Sequence, residues 1–466
     1  MATQTPMVKQ YLEIKDKHQD AILFFRLGDF YEMFYEDAKV ASRELELTLT
    51  GRGKKDDENR MPMCGIPYHA AENYIARLVG RGYKIAICEQ VEDPALAKGL
   101  TKREVVRIIT PGTITDDNML PAKANNYLTA ISFIKTKDNQ EKYGLAFADS
   151  STGEFKLTEL GSKADLISEI NRIQPAEIIF SEEDKMILEL EIPTTVRQFE
   201  NFERAEKILK THFKVSSLEG FGCNGFKPAL AAANAILDYL KETQKTNITH
   251  LKQLKAYYPA QYMYLDKASR RNLELTETIR EKETTGSLLC ILDKTKTAMG
   301  SRLLKQWLNQ PLLEINLIQA RQNAVEELFE DIICREEISS FLQQIYDLER
   351  IIGRVALGMV SPRDLISLKE SLAILPEIKN SLNVKHSALL NSIDDNLISF
   401  TNEIVNLINQ AIVDIPPLKI KEGNIIREGY DKELDGLKAL SRGGKEWVAK
   451  LEQEERKKSG IKSLKV

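Results

Sequence analysis

Phe30 and Glu32 stand two positions apart in the run Gly28-Asp29-Phe30-Tyr31-Glu32-Met33-Phe34-Tyr35-Glu36. An aromatic ring beside a carboxylate is a pairing that can question one base of a nucleic acid. The ring enters a base step, unstacks it and kinks the duplex, at a cost of a few kcal/mol. A poorly paired step deforms more cheaply, so the wedge selects it. The carboxylate is repelled by the phosphate field unless a base donor meets it or it takes up a proton. Only a displaced base relieves that penalty, so the carboxylate discriminates by repulsion as well as by bonding. The plain alternative is a core phenylalanine and a solvated helical glutamate.

Other residues invite chemistry less strongly. Arg52, Lys54 and Lys55 form a basic loop suited to phosphates, although Asp56-Asp57-Glu58 follows at once and a merely solvated loop fits as well. Arg107 is placed to reach a phosphate or to close a strand. Cys64 and His69 would need spatial contact and a third, orienting group to act as a nucleophilic pair. The stretch Gly65-Ile66-Pro67-Tyr68-His69 reads instead as a turn packed on a core.

The elements that must position these residues come from a chain of 466 residues, long enough for about three domains. With 42% hydrophobic and 29% charged residues the composition is that of an ordinary globular protein. A net charge of -4 and a pI near 6.0 mean that any nucleic-acid contact relies on local basic patches. The five cysteines are scattered without ligand spacing, so reduced thiols are expected, with no disulfide framework and no zinc site. Met1 to Lys9 lacks a signal-peptide core and no run of about 18 apolar residues occurs, so no membrane contact and a cytoplasmic, nucleoid-associated location are expected.

Residues 1–115 read as mixed α/β. Ala21 to Arg26 forms a buried strand broken by Gly28-Asp29, and the spacing from Tyr31 to Arg43 predicts a helix. A short amphipathic helix over Glu72–Gly80 separates strands at Tyr83–Glu89 and Glu104–Ile109. Residues 116–125 are polar and turn-rich, a linker. Residues 126–255 form a second α/β unit, with a hairpin through Ser150-Ser151-Thr152-Gly153, a helix over Leu166–Ile173 and a strand at Ala176–Phe180. Long amphipathic helices then occupy 256–435. Ser361-Pro362-Arg363-Asp364 is a helix start, with Leu365, Leu368, Leu372 and Leu375 as the buried stripe. A last helix spans Glu433–Lys458, with Gly443-Gly444 as its weak point.

The blocks Gly28-Asp29-Phe30-Tyr31-Glu32, Gly65-Ile66-Pro67-Tyr68-His69, Ile87-Cys88-Glu89-Gln90 and Arg107 to Thr113 closely resemble, in order and spacing, the bacterial MutS family of mismatch repair proteins. Asp266 to Glu274, Met299 to Leu304, Asp347 to Arg350 and Ser361 to Asp364 extend the resemblance into the helical part, as scaffold signals whose arginines tie core to connector. It implies a mismatch-recognition domain (1–115), a ribonuclease-H-like α/β connector (126–255), all-α core and lever helices (256–435), and a lever helix (436–466) leading into a clamp.

The family role implied for Phe30 is stacking on the mispaired base through the minor groove, and for Glu32 a hydrogen bond to that base. Met61 and Met63 stand where the family lines the bent groove, and fit a core equally. Asp149, at a strand end of the connector, lacks the converging carboxylates of a metal-dependent nuclease. The implied partners are double-stranded DNA with mismatches or small loops, and MutL. A homodimer is implied for the full-length family, with a monomer open for this chain. ATP and Mg²⁺ are implied as cofactors of the full-length family and none for these residues. No GxxxxGK[ST] phosphate loop occurs, since Gly443-Gly444-Lys445-Glu446 lacks the upstream glycine and the hydroxyl. The expectation is therefore a non-enzymatic chain, either a mismatch-reading module or a scaffold fragment without useful DNA affinity.

Overall fold

The structure is a computed structural model. It describes residues 5–52, 60–92, 101–136, 138–182, 184, 191–223, 225–245, 248–382, 385–397, 401–417 and 420–461. Two compact units emerge, Met1–Glu330 with Asp347–Met359, and Asp331–Tyr346 with Val360–Val466.

The first unit begins with α1 (Pro6–Asp16), β1 (Ala21–Leu27), β2 (Phe30–Phe34), α2 (Tyr35–Leu45), β3 (Thr50–Arg52), β4 (Met61–Pro67), α3 (Ala71–Val79), β5 (Lys84–Gln90) and β6 (Arg103–Ile109). The strands form one sheet in the order β3-β4-β2-β1-β5-β6, with β1 parallel to β5 and every other pair antiparallel. One face packs on α2 and α3 through Phe24, Tyr31, Met33, Ile66 and Leu78. The other packs on α1 through Leu23, Phe25, Phe34 and Tyr11. Asp37 fastens these layers, since its buried carboxylate accepts from the Leu23 amide at 2.9 Å, the Tyr11 hydroxyl at 3.1 Å and the Lys15 ammonium at 2.8 Å. A buried carboxylate is tolerable only with such donors around it.

The expected helix over Tyr31–Arg43 begins later. Residues 30–34 are strand, and helix starts at Tyr35. Alternation decided the outcome: Tyr31 and Met33 enter the core while Phe30 and Glu32 stay outside, and pairing on both sides of β2 supplies the hydrogen bonds that a helix would otherwise make.

A second sheet follows, built from β7 (Leu128–Lys135), β8 (Glu141–Asp149), β9 (Glu154–Leu160), β10 (Glu177–Phe180), β11 (Thr194–Val196) and β12 (Lys255–Ala256), in the order β11-β10-β7-β8-β9-β12. Helix α4 (Lys163–Ile173) covers one face, and α5 (Phe202–Phe213) with α6 (Lys227–Gln244) covers the other. At Gly144 an added Cβ would lie 2.1 Å from the Pro228 carbonyl carbon, so α6 rests directly on the backbone of β8. Glu177 joins the two sheets. It is fully buried and accepts from the Thr110 hydroxyl, the Gly112 amide at 3.1 Å, Thr195 at 2.6 Å and Tyr239 at 2.7 Å.

The helices of the first unit continue with α7 (Lys267–Asn272), α8 (Leu288–Leu292), α9 (Ala298–Asn309) and α10 (Ile315–Glu330). After α11 (Ile332–Leu342), which belongs to the second unit, the first is completed by α12 (Leu348–Ala356). The polar segment 116–125 is held tightly by arginines from these helices. Arg302 donates to the Ala122 carbonyl at 3.0 Å, and Arg350 to those of Pro121 at 3.0 Å and Ala124 at 2.8 Å. Arg354 pairs with Asp117. Gly353 permits α12 to approach the connector, since a Cβ there would stand 2.4 Å from the Ser151 carbonyl oxygen.

The second unit also holds α13 (Pro362–Leu382), α14 (Ala388–Asn396), α15 (Thr401–Ala411) and α16 (Lys432–Ser459). The capping box at the start of α13 is formed as expected, Asp364 N–H to Ser361 Oγ at 3.1 Å and Ser361 N–H to Asp364 Oδ2 at 2.8 Å. The buried stripe of α13 differs from the expectation. Pro362, Ile366, Ser371, Ile378 and Leu382 are its buried positions, while Leu365, Leu368, Leu372 and Leu375 are half-buried along the flank. Helix α16 runs unbroken through Gly443-Gly444, where neither glycine faces a neighbour. Among the described residues no helix is long and apolar enough to cross a membrane.

Because Gly144 sits against backbone that cannot yield, Gly144→Ala is expected to destabilise the chain by about 1–3 kcal/mol or more, as overpacking does. Gly161→Ala, where an added Cβ meets nothing within 4 Å, serves as the control and is expected to be nearly neutral. Urea unfolding followed by circular dichroism checks both, and equal midpoints for the two variants would show that α6 does not rest on β8 as described.

Candidate nucleic-acid interface

The hairpin between β1 and β2 has a two-residue loop, Gly28-Asp29, with Leu27 paired to Phe30. Gly28 takes φ 59°, the positive value that tight hairpin loops demand at a central position. The tip is braced from behind. Arg26 lays its guanidinium 3.7 Å from the centre of the Tyr68 ring and donates to the Gly28 carbonyl, while the Tyr68 amide donates to Asp29 at 2.9 Å. Tyr31, on the core side, hydrogen-bonds Glu89.

Residues directly opposite in a sheet share a face. Phe30 is opposite Leu27 and Pro67, and Glu32 is opposite Phe25 and Gly65. Phe34 faces Met63, Thr50 faces Met63 and Arg52 faces Met61. Phe30, Glu32, Arg52, Met61 and Met63 therefore lie on one face of one sheet edge. Helix α1 covers the far part of that face and leaves this part open. Phe30 is 46% exposed, an unusual position for a phenylalanine on a braced hairpin. Met61 and Met63 are half-buried and pack toward the α1-side core, so they both line the open face and belong to the core edge.

Arg52 and Glu32 form an ion pair at 3.2 Å. The basic loop residue expected to meet phosphates is thus paired with the Glu32 carboxylate. The Glu32 side chain lies close over Gly65, where an added Cβ would meet its Cγ at an ordinary contact distance of 3.5 Å. Burial raises the Glu32 pKa above the usual glutamate range, and Arg52 opposes that rise. Sequence spacing gave no signal for this pair, because it depends on the register of β3 against β4. Lys54 and Lys55 lie outside the described residues.

Arg107 is not on this face of the site. It is half-buried on β6 and donates to Thr115 Oγ1 at 2.7 Å, which makes it a strand-end arginine turned inward. Cys64 and His69 are not brought together as a nucleophilic pair. Cys64 is buried beneath α2, its thiol directed at the Ala38 carbonyl and pushed up to about 11 by burial, while His69 is exposed against Tyr68. Asp149 has both oxygens committed, Oδ1 to the Ser151 amide and hydroxyl, Oδ2 to Asn125 and the Asn126 amide. It pins the segment before β7 to the β8–β9 turn.

The sequence matches the family profiles described as MutS domain I over residues 5–118, MutS domain II over 126–252 and MutS domain III over 268–464. Over its whole length it is 48% identical to the DNA mismatch repair protein MutS of Lachnoclostridium phytofermentans, covering 50% of that protein. It is 48% identical to the protein of the same name from Ruminiclostridium cellulolyticum and 47% identical to that from Acetivibrio thermocellus, covering 54% of each. The chain belongs to the MutS family. It spans about half the length of the curated relatives it matches. The α/β, α/β and then helical order of the structure is that of MutS domains I to III. Within this MutS chain, the hairpin carrying Phe30 and Glu32 lies in domain I, and the arginine-held segment 116–125 spans the junction of domains I and II.

The raised Glu32 pKa has a definite sign in stability. Folded Glu32 holds its proton more tightly than the unfolded chain does. Its contribution is therefore full below the usual glutamate value and falls as pH rises through the native one. Arg52→Met removes the opposing charge, so the Glu32 carboxyl is expected to titrate still higher and the falling window to widen upward. Carbon-detected NMR of the Glu32 carboxyl in both proteins checks this, and a lower value in Arg52→Met would contradict the pairing.

Proposed function

We propose that this chain carries the lesion-reading site of DNA mismatch repair, with Phe30 as the wedge that stacks on a mispaired or unpaired base through the minor groove and Glu32 as the group that hydrogen-bonds to it. The observation that carries the reading is the placement of Phe30, largely exposed at the tip of a braced hairpin, on the same face as Glu32. A ring held out by rigid backbone loses little freedom on insertion, which is what a wedge requires. In this account Arg52 releases Glu32 on binding and turns to a phosphate, so the ion pair keeps the carboxylate screened until DNA supplies a partner for each member. Met61 and Met63 floor the groove contact, with Lys54 and Lys55 adding phosphate contacts and Arg107 excluded from them. The division into recognition (1–115), linker (116–125), connector (126–255) and core or lever (256–435 and 436–466) parts belongs to the same proposal.

A second reading is favoured by the half-length match to the relatives. Affinity for DNA rests largely on phosphate contacts, and Arg52, a basic residue on the same face as the wedge, is already paired with Glu32. In that reading these residues fold and dock on partners, MutL or a second MutS chain, and depend on the rest of the family's length for a grip on DNA and for ATP with Mg²⁺. Nucleotide hydrolysis is not proposed for the chain itself.

A titration of two fluorescent duplexes differing only by a central G·T mismatch separates the readings. The mismatched duplex is expected to bind more tightly, and Phe30→Ala to remove about 1–3 kcal/mol of that preference, the range for aromatic stacking on one base. Equal binding of both duplexes, unchanged by Phe30→Ala, would leave the scaffold reading. In the same assay Glu32→Ala is expected to strengthen binding to the matched duplex, because the repulsive group is gone. Weaker binding to both duplexes would argue against a discriminating role.

A further inference from the structure

Helix α9 presents Arg302, Lys305, Gln306 and Asn309 at spacings of three and four, so they share one side of the helix. That side faces the end of connector helix α4, and between them lies a cavity of about 70 Å³ lined by Arg172, Arg302, Lys305, Gln174, Gln306 and Asn309 among others. Among the described residues no aspartate or glutamate lines it. The carboxylate partners of its cations point elsewhere. Arg172 is paired with Glu169. Arg302 spends both terminal nitrogens on Ala122, Asp347 and Glu349, yet its Nε has no partner although the residue is only 5% exposed. Lys305 is half-buried, and among the described residues its ammonium has no ion-pair or hydrogen-bond partner. Burial pulls its pKa down, opposed by Glu277.

A buried N–H without an acceptor is costly, and so is a half-buried ammonium whose opposing carboxylate, Glu277, makes no ion-pair contact with it. The volume is enough for about five waters, since each needs roughly 10–15 Å³. That is also the scale of a tetrahedral oxyanion. We propose that this cavity binds one inorganic phosphate or sulfate ion, held by Arg302 and Lys305 with Arg172 nearby and amide donors around it. Arginine supplies directed N–H bonds and lysine a point charge, the usual division of labour at phosphate. A larger cavity of about 510 Å³, lined by Lys267, Arg270, Arg271 and Lys282 together with Glu277, shares Gln174 and Asn309 with the smaller one and gives an anion a mainly cationic approach. The ion ties α9 to the connector, in the same joint where Arg302 holds the segment 116–125.

The test is isothermal titration calorimetry of the 466-residue chain with sodium phosphate, in HEPES with sodium gluconate as the supporting salt. One phosphate per chain is expected, with affinity reduced about tenfold or more by Lys305→Met and by Gln174→Glu, which places a carboxylate in the cavity. Lys305→Arg is expected to bind within about threefold of the native chain. Circular dichroism without phosphate verifies that each variant is folded, and the two lowered variants change unrelated side chains, so a folding defect in one leaves the other to decide. No saturable heat, several ions per chain, or unchanged affinity in Lys305→Met and Gln174→Glu would overturn the proposal. A phosphodiester dinucleotide serves as the second arm. Binding as tight as orthophosphate would assign the cavity to nucleic-acid backbone and overturn a free-anion site.

Discussion

The two-residue turn at Gly28-Asp29 is the constraint on which the face carrying Phe30 and Glu32 depends. It fixes the register of β2 against β1, and the side-chain period of a strand is two. With Leu27 opposite Phe30, the core receives Tyr31 and Met33 while Phe30 and Glu32 project outward. A slip of one residue would bury Phe30 and Glu32 and expose Tyr31 and Met33. Gly28 supplies the left-handed backbone that such a short loop demands, and Arg26 with Tyr68 holds its tip. The neighbouring strand then matches this phase. Gly65 lies opposite Glu32, and Met61, Met63 and Arg52 fall on the same face.

Much of this was legible in the sequence and some was not, for physical reasons. Strands at Ala21–Leu27 and Lys84–Gln90, the hairpin through Gly153 and the capping box at Ser361 follow from short-range patterns that local chemistry decides. The segment 31–34 reads as helix because Phe34, Ala38 and Ala41 recur at helical spacing, while the competing strand pairing comes from residues 25–27 and 63–66. The blocks that resemble MutS identified Phe30 and Glu32, but no local pattern announced the Arg52 pairing. That contact arises from two registers taken together. Arg107 reads in sequence either as a phosphate contact or as a strand-end arginine, and its bond to Thr115 shows it turned inward.

Many of the basic side chains of the first unit are spent inside it. Arg103 donates to the Arg26 carbonyl at 2.8 Å and Arg172 pairs with Glu169, while Arg302 and Arg350 hold the 116–125 segment through backbone carbonyls. Guanidinium groups suit this use, since each offers several fixed donors and stays charged when buried. The segment 116–125 is polar and turn-rich by composition, yet its carbonyls are satisfied from helices almost two hundred residues away in sequence. Helices α9 and α12 are thereby bonded to the segment that leads into the second sheet. Glu177 makes a comparable link on the other side, between Thr110 and Gly112 and the connector sheet.

The most direct measurement is fluorine NMR of the chain carrying 4-fluorophenylalanine at position 30, recorded with a G·T-mismatched duplex and with its matched counterpart. Stacking on a base shifts the fluorine resonance through the ring current of that base. A distinct shifted resonance with the mismatched duplex, absent with the matched one, is the result this account predicts. The same resonance with both duplexes, while binding is verified independently, would contradict the claim that Phe30 reads the mispaired base.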